Sequence, residues 1–543
     1  MKKSVDILKL SKIIKAPRWI GAAIILSLCT AYFAVQFPLA IQRITETINQ
    51  SDRVGFYWSI GYAFLIVAMQ GLSFYLLIKA QNIFVKKNMI ACRNRLYHAV
   101  MSQPYETYMK NDPADYISMM LNDMRLLEDD FYHAILELAA KAIMFVFAVI
   151  QLVRLSPLFL LGLVAIGVIM LLIPLLIGPK ISYNRKNQMD AMANHSKNLK
   201  EHFQGYLTII QFKLSGLFLK RMEKSHKQLE ESNYRFKTLI AKVNTLLMMT
   251  TVLLILTTFL IGGMLVLNDV LTIGALLAAT QLIMYISEPL VSLSQASNQL
   301  KASVPILDKM TDLFNAKRVM FKTGLNNEKI HSIELKNMSF SFENNRELKV
   351  LDNINLILEY GKKYLLKGEN GSGKSTFLNL IAGHLKPSHG WIGYFNHKEQ
   401  LLESTPDIAV VSQNTYLFEG TIYDNVTLFA DANRSRFMEA CRTCGLDELL
   451  ETFEEKEDFY ILNNGENLSG GQRQKIAIAR ALYFDADILI FDEANSALDI
   501  ESSELVEEAI SALTDKLCIV VSHKTMCNQA LFDEVIELSV SAS

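Results

Sequence analysis

Nine consecutive residues, Gly368-Glu-Asn-Gly-Ser-Gly-Lys-Ser-Thr376, fit the pattern GxxxxGK[ST]. Glycines at 368, 371 and 373, with Asn370 in the same turn, let backbone N–H groups face inward around phosphates. A helix that follows presents its N-terminus to the same negative charge. Lys374 is then placed to reach the β- and γ-phosphates, and the Ser375 hydroxyl, with Thr376 beside it, to ligate Mg²⁺. A short strand expected over 362–366 and an apolar helix from Phe377 to Ile381 supply the required context. Further on, Ile488-Leu-Ile-Phe-Asp-Glu493 reads as a buried strand ending in two carboxylates. Asp492 would hold Mg²⁺ directly or through water. Glu493 would orient or deprotonate an attacking water. Alone, this segment is equally a surface Asp-Glu pair after a core strand; the phosphate loop upstream argues against that.

The elements that position these residues show in the distribution of charge. The chain has 543 residues, 54 Lys+Arg and 55 Asp+Glu, a formal net charge of -1 and 51% hydrophobic residues. Its mean hydropathy is +0.20. Residues 1–320 carry 34 basic and 20 acidic residues, net +14; residues 321–543 carry 20 and 35, net -15. The chain is therefore not basic overall, as many nucleic-acid binders are, and no nucleic-acid partner is expected. Two domains are expected, a membrane domain over 1–320 and a soluble α/β domain over 321–543.

Trp19–Gln42, Val54–Ile78, Leu155–Pro179, Val243–Asn268 and Val270–Ser287 contain no Asp, Glu, Lys or Arg. A span needs roughly 20 apolar residues. Ala142–Val153 joins them if its helix extends back to about Ala134, past Lys141 and Glu137, which gives six spans. With the N-terminus inside, 26 basic residues fall on the cytoplasmic side, in 1–18, 79–125 and 180–242. Only Arg43, Arg53 and Arg154 fall outside. Two long helical loops would thus run into the cytoplasm, and both termini would lie there. Lys2–Arg18 reads as an interfacial helix rather than a cleavable signal. The Cys441/Cys444 pair lacks the second pair that a metal or redox site needs, and reads as reduced cytoplasmic thiol.

Between the two nucleotide motifs lies Leu468-Ser-Gly-Gly-Gln472, and here the sequence resembles the ATP-binding cassette (ABC) family. The pentapeptide resembles the family's signature. The resemblance implies that Ser469, Gly470, Gly471 and Gln472 bind the γ-phosphate of ATP held by an opposing subunit. Donors at a helix N-terminus agree with that, Gln472 being read as opening a helix over 473–482. By the same resemblance Phe342 stacks on adenine, where Tyr is commoner, and Gln413 senses Mg²⁺ and the membrane domain. Asp499, in Ser-Ala-Leu-Asp, links the two ATP sites, and His523 after the strand 518–521 contacts the γ-phosphate.

The resemblance spans the chain and is to exporter-type half-transporters with the type IV fold. It implies coupling helices near Ser102–Tyr108 and Gly205–Lys213. Three departures stand out: Ala114 for a usual Gly, Asn495 for a usual Thr, and a loop Ile461–Asn467 lacking the family's first glutamate. The expected function is ATP-driven export of a small amphipathic substrate (peptide, drug or lipid) across a bacterial plasma membrane. ATP and Mg²⁺ are the cofactors, and a second half-transporter is the partner, as homodimer or heterodimer. An importer on the same fold and a nucleotide-gated channel are the alternatives; intact Glu493 favours pumping. An N-terminal peptidase has no room before the first span, which argues against leader-cleaving exporters.

The cargo is less legible. Lys141, about 20 Å along the helix from Arg154, and Glu137 one turn earlier are polar groups within a span, as is Glu288 near the inner interface. They are substrate candidates. Alternatively Glu137 and Lys141 neutralise each other and do nothing more.

Overall fold

The structure, a computed structural model, describes residues 17–316, 330–342, 349–402, 407–412, 415–430, 433–492, 507, 510–511, 513–521 and 531–539. It leaves undescribed the side chains of 171, 174, 175, 291, 293–295, 297, 298, 301 and 302. The chain divides into two compact units, Met1–Met101 with Asn111–Lys317, and Arg318–Ser543 with the short segment Ser102–Lys110.

The first unit is helical. Its long helices are α1 (Pro17–Asn49), α2 (Arg53–Met101), α4 (Pro113–Leu155), α5 (Phe159–Gln204), α7 (Ser215–Leu267) and α8 (Ile273–Asn315). Two short helices, α3 (Tyr105–Met109) and α6 (Tyr206–Gln211), follow α2 and α5. Among the described residues five of these helices are long and apolar enough to cross a membrane, and α5 adds the shorter apolar stretch Phe159–Met170. The charge-free run at Ala142 does extend backwards, in a helical stretch that starts at Pro113 and includes two wide π-type turns, 119–123 and 128–133. Helices α2, α5 and α7 have 49, 46 and 53 residues. At about 1.5 Å per residue they are roughly 70–80 Å long, more than twice a hydrocarbon core of about 30 Å.

Small residues let these helices close on one another. Ala34, Ala148 and Ala279 are fully buried. A Cβ on Gly274 would lie 2.7 Å from the Gln42 carbonyl oxygen. Val35, Leu152, Leu254 and Ile286 complete this core. Trp58, Phe64, Leu161 and Leu260 face outward, apolar surface suited to lipid rather than water.

The second unit is α/β. Strands β1 (Ile330–Phe340), β2 (Leu351–Glu359) and β4 (His389–Asn396) form an antiparallel sheet ordered β2-β1-β4. Strands β3 (Lys363–Gly368), β5 (Ile408–Val411), β8 (Ile488–Asp492), β9 (Leu517–Val521) and β10 (Glu534–Leu538) form a parallel sheet ordered β10-β3-β9-β8-β5. A third pair, β6 (Gly420–Thr421) with β7 (Tyr460–Ile461), is antiparallel.

The central strands are buried on both faces, as their unbroken apolar sequences require. Ile488, Ile490, Leu517, Ile519 and Val521 join a core with Phe377 and Ile381 of α9 (Lys374–Ile381). Leu489, Phe491, Cys518 and Val520 join a second core with Ile476 and Ala479 of α13 (Gly470–Phe484). That second core also holds α10 (Ile422–Thr427), α11 (Arg434–Thr443) and α12 (Leu446–Glu451). The two helices that follow the phosphate loop and open at the signature thus back onto opposite faces of one sheet.

Candidate functional site

Strand β3 ends at Gly368 and the loop to α9 follows directly. Gly371 and Gly373 have φ of +87° and +89°, a region that side chains rarely adopt. Gly373 caps α9 in this conformation, and a Cβ there would press within 3.1 Å of Val350 and Leu351. Lys374 Nζ donates to the carbonyl oxygens of Gly368 (2.8 Å) and Glu369 (3.0 Å), folding across the loop mouth. Those two weak acceptors are what a phosphate would displace. Ser375 and Thr376 follow in the first turn of α9, whose N–H groups have no intrahelical acceptor. Asn370 lies in the turn itself.

The sheet register places Asp492 opposite this loop. Leu366 of β3 and Asp492 of β8 both pair with Val521 of the strand between them. Asp492 therefore sits two strand spacings, about 9–10 Å, from Leu366, on the same rung and two residues short of where β3 ends at Gly368. A hydroxyl at Ser375 and a carboxylate at Asp492 are the hard oxygen donors that Mg²⁺ prefers. Gln413, Glu493, Asp499 and His523 lie outside the described residues. The strands that precede these positions in the sequence, β5, β8 and β9, end at Val411, Asp492 and Val521, at the carboxyl edge of the sheet that carries the phosphate loop. Phe342 follows β1, with its ring edge-on to Phe340 at 5.0 Å and close to half exposed, open to a stacking partner.

The signature helix starts earlier than its sequence suggested, at Gly470 rather than after Gln472. Ser469 is its N-cap: its Oγ accepts from the Gln472 N–H (3.2 Å), and Gln472 Oε1 accepts from the Ser469 N–H (2.8 Å). This reciprocal box was legible in Ser-Gly-Gly-Gln, three residues apart. It leaves the Gly470 and Gly471 N–H groups pointing out of the helix end, suited to an anion.

Residues not anticipated from sequence hold these parts in place. Arg480 of α13 is largely buried, which lowers its pKa, and donates to the Asn425 carbonyl (2.9 Å), the Tyr416 carbonyl (3.1 Å) and Asn425 Oδ1 (3.3 Å). It ties the signature helix to the segment after Gln413. The departing loop before the signature is shaped by Asn463, Asn464 and Gly465 at φ +39°, +60° and +80°. Asn is the non-glycine residue best suited to that geometry. Asn464 Oδ1 accepts from Leu417 N–H (2.8 Å) and Asn467 Oδ1 from Leu462 N–H (3.0 Å).

Within the second unit the segment Ser102–Lys110 contributes Tyr105, whose ring stacks on His384 at 4.9 Å and 27°. His384 lies just past α9; its Nδ1–H donates to Asn379 Oδ1 (3.2 Å), and burial lowers its pKa. Cys441 and Cys444 are fully buried, and burial raises both thiols, Cys444 to about 12. No group of three metal-ligating side chains occurs among the described residues.

The membrane-side candidates do come together. Lys141 Nζ lies 2.6 Å from Glu137 Oε1 and 3.4 Å from Glu288 Oε1. The self-neutralising pair is thus a triad, with α8 supplying a third charge that spacing along α4 could not reveal.

Comparison with known proteins places both units. Residues 351–496 match the ABC transporter family and residues 20–290 match the ABC transporter transmembrane region. The chain is 34% identical over 276 residues to ABC transporter B family member 29, chloroplastic, of Arabidopsis thaliana (49% of this chain, 43% of that protein). It is 27% identical over 365 residues to the Lactococcin-G-processing and transport ATP-binding protein LagD of Lactococcus lactis (66% and 52%). It therefore spans less than half of the first relative and about half of the second. It is 25% identical over 518 residues to the ATP-dependent lipid A-core flippase of Salmonella typhimurium (93% and 87%). In fold it is similar to a bacterial Atm1-family ABC exporter solved with ATP bound, at TM-score 0.83 and 16% identity, covering 97% of this chain and 95% of that one.

Proposed function

Since this chain belongs to the ABC transporters, with the transmembrane region and the ATP-binding domain in one polypeptide, we propose that it works as one half of an ATP-driven exporter. One observation carries the two-chain reading: α9 and α13 back onto opposite faces of the parallel sheet. An ATP on the phosphate loop cannot reach the signature of its own chain from there. A second copy, or a related half-transporter, facing it head to tail supplies the missing signature at each site.

The phosphate loop, Lys374 and Phe342 hold ATP. Ser375 and Asp492, with Gln413, would hold Mg²⁺, which would supply neutralisation of phosphate charge in that site. Glu493 orients and deprotonates the attacking water, and His523 contacts the γ-phosphate. Closing of the two cassettes on ATP drives the helices from inward- to outward-facing, and it can do so only by as much as ATP binds the closed state more tightly. Tyr105 on the first loop carries that movement into the cassette. The tip of the second loop exposes Phe203, Tyr206, Leu207 and Phe212, an apolar face that fits the cassette of a partner chain.

The charge distribution supports a plasma-membrane protein with both termini cytoplasmic. The substrate we favour is a small amphipathic molecule leaving the cytoplasm. The test is Glu493→Gln in nanodiscs: ATP binding is retained and turnover falls to background. Normal hydrolysis by that variant would refute the catalytic assignment.

A further inference from the structure

The triad of Lys141, Glu137 and Glu288 has one positive charge and two negative ones. Neither carboxylate has another cation within ion-pair distance among the described residues. Lys141 is three-quarters buried, while the Glu137 and Glu288 side chains are 60% and 68% exposed, so each carboxylate keeps acceptor capacity facing away from the lysine. The depth of the cluster follows independently from its two helices. Lys141 lies 13 residues before Arg154 on α4, and Glu288 lies 16 residues after Thr272, the N-cap of α8. At about 1.5 Å per residue those are about 20 and 24 Å from the outer ends. Both values put the triad inside a hydrocarbon core of about 30 Å, toward its inner side. An uncompensated charge there is costly and calls for a counter-ion.

A second feature points the same way. Pro289 lies inside α8, next to Glu288. It has no N–H, so the carbonyl of Tyr285, four residues earlier, loses its intrahelical donor. A freed carbonyl at membrane depth is tolerated where protein or a polar occupant satisfies it. The Tyr285 side chain meanwhile lies close to Gln70 of α2 and to the Glu288 carboxylate. Three helices thus bring together two open carboxylates, a freed carbonyl oxygen and an aromatic ring. All present negative potential, and an aromatic face with carboxylates is the surround that lipophilic cations favour.

We propose that this cluster is the recognition site for the transported molecule and that it selects amphipathic cations over anions. This rests on the export reading above. It separates the chain's cargo from a phosphorylated, anionic lipid, which the net charge of the triad would repel.

The probes are tetraphenylphosphonium and tetraphenylborate, nearly isosteric lipophilic ions of opposite charge. Binding of each to the full-length protein in nanodiscs is measured by equilibrium dialysis, with empty nanodiscs subtracted. The expected result is saturable binding of the phosphonium at an affinity at least about tenfold above that of the borate. Glu288→Gln weakens the phosphonium about tenfold or more, and Glu288→Asp, which keeps the charge, restores most of it. Equal binding of both ions, a preference for the borate, or an unchanged isotherm for Glu288→Gln overturns the proposal. So does a Glu288→Gln variant that dissociates into single chains with phosphonium binding intact, since the missing cation would then belong to a partner chain. ATP-dependent phosphonium accumulation in inside-out vesicles tests export separately. Binding without accumulation upholds the cluster and counts against export; ATP-dependent movement of other amphiphiles without phosphonium binding does the reverse.

Discussion

Removing the Tyr105 ring should uncouple ATP hydrolysis from transport. The ring stacks on His384 at 4.9 Å and is about two-thirds buried. An offset aromatic pair is worth about 0.5–1.5 kcal/mol beyond its area. Burying most of a large side chain adds about 1–2 kcal/mol. Tyr105→Ala therefore costs the docked state about 1.5–3.5 kcal/mol, which is about 10- to 400-fold in a docking equilibrium. The assay is transport per ATP hydrolysed by the full-length protein in sealed vesicles. The ratio should fall at least about tenfold in Tyr105→Ala and stay near normal in Tyr105→Phe, which keeps the ring. Acidity gives a second arm. Burial lowers the His384 pKa from its ordinary 6.5, so the docked ring holds a proton less readily than the released one. Docking is then fully stable above pH 6.5 and weakens as pH falls from there toward the lowered pKa. The transport ratio should follow that fall, and His384→Phe should abolish its pH dependence. An unchanged ratio in Tyr105→Ala, or the same acid sensitivity in His384→Phe, would refute the reasoning.

Other perturbations follow from the cassette's geometry. Gly373→Ala should weaken ATP binding and lower stability by about 1–3 kcal/mol, since it combines a left-handed φ with crowding by Val350 and Leu351. Gly371→Ala has the same φ problem in open space and should be milder; nucleotide titration with thermal unfolding would rank them. Ser469→Ala loses the capping box at a cost of about 1 kcal/mol. It should reduce ATPase activity far more than ATP affinity, which filter binding and phosphate release separate. Arg480→Met should destabilise the cassette by about 3 kcal/mol, because three hydrogen bonds to a charged donor, two of them partly buried, are lost. Arg480→Lys should rescue little, since an ammonium cannot span the same acceptors; denaturant unfolding measures both.

What the sequence revealed and what it withheld divide on physical grounds. The phosphate loop, the strand before Asp492 and the apolar helices are local patterns, set by backbone geometry and solvent over a few residues. Register is not local. That Asp492 and Leu366 share Val521 as neighbour depends on three strands brought together from across the domain. Glu288 meeting Lys141 depends on how α4 and α8 pack, and no spacing along either helix contains it. Nothing in the sequence around Arg480 marks it out, and its role shows only in its hydrogen bonds to the Tyr416 and Asn425 carbonyls, 64 and 55 residues away. Ser469 and Gln472 already spelled a capping box, and Asn463-Asn464-Gly465 already spelled a left-handed turn.

Strands β8 and β9 alternate between two cores, one behind the phosphate loop and one behind the signature. Side chains that support one nucleotide-binding surface are therefore largely not those that support the other. Drift at Leu489 or Val520 can erode the signature face while Ile490 and Ile519 keep the phosphate loop in shape, and the reverse holds too. In a gene duplicated into a pair of such chains, each copy could lose a different surface without losing its fold. Asymmetric partnerships, with one working site and one that only binds, are then accessible by small steps.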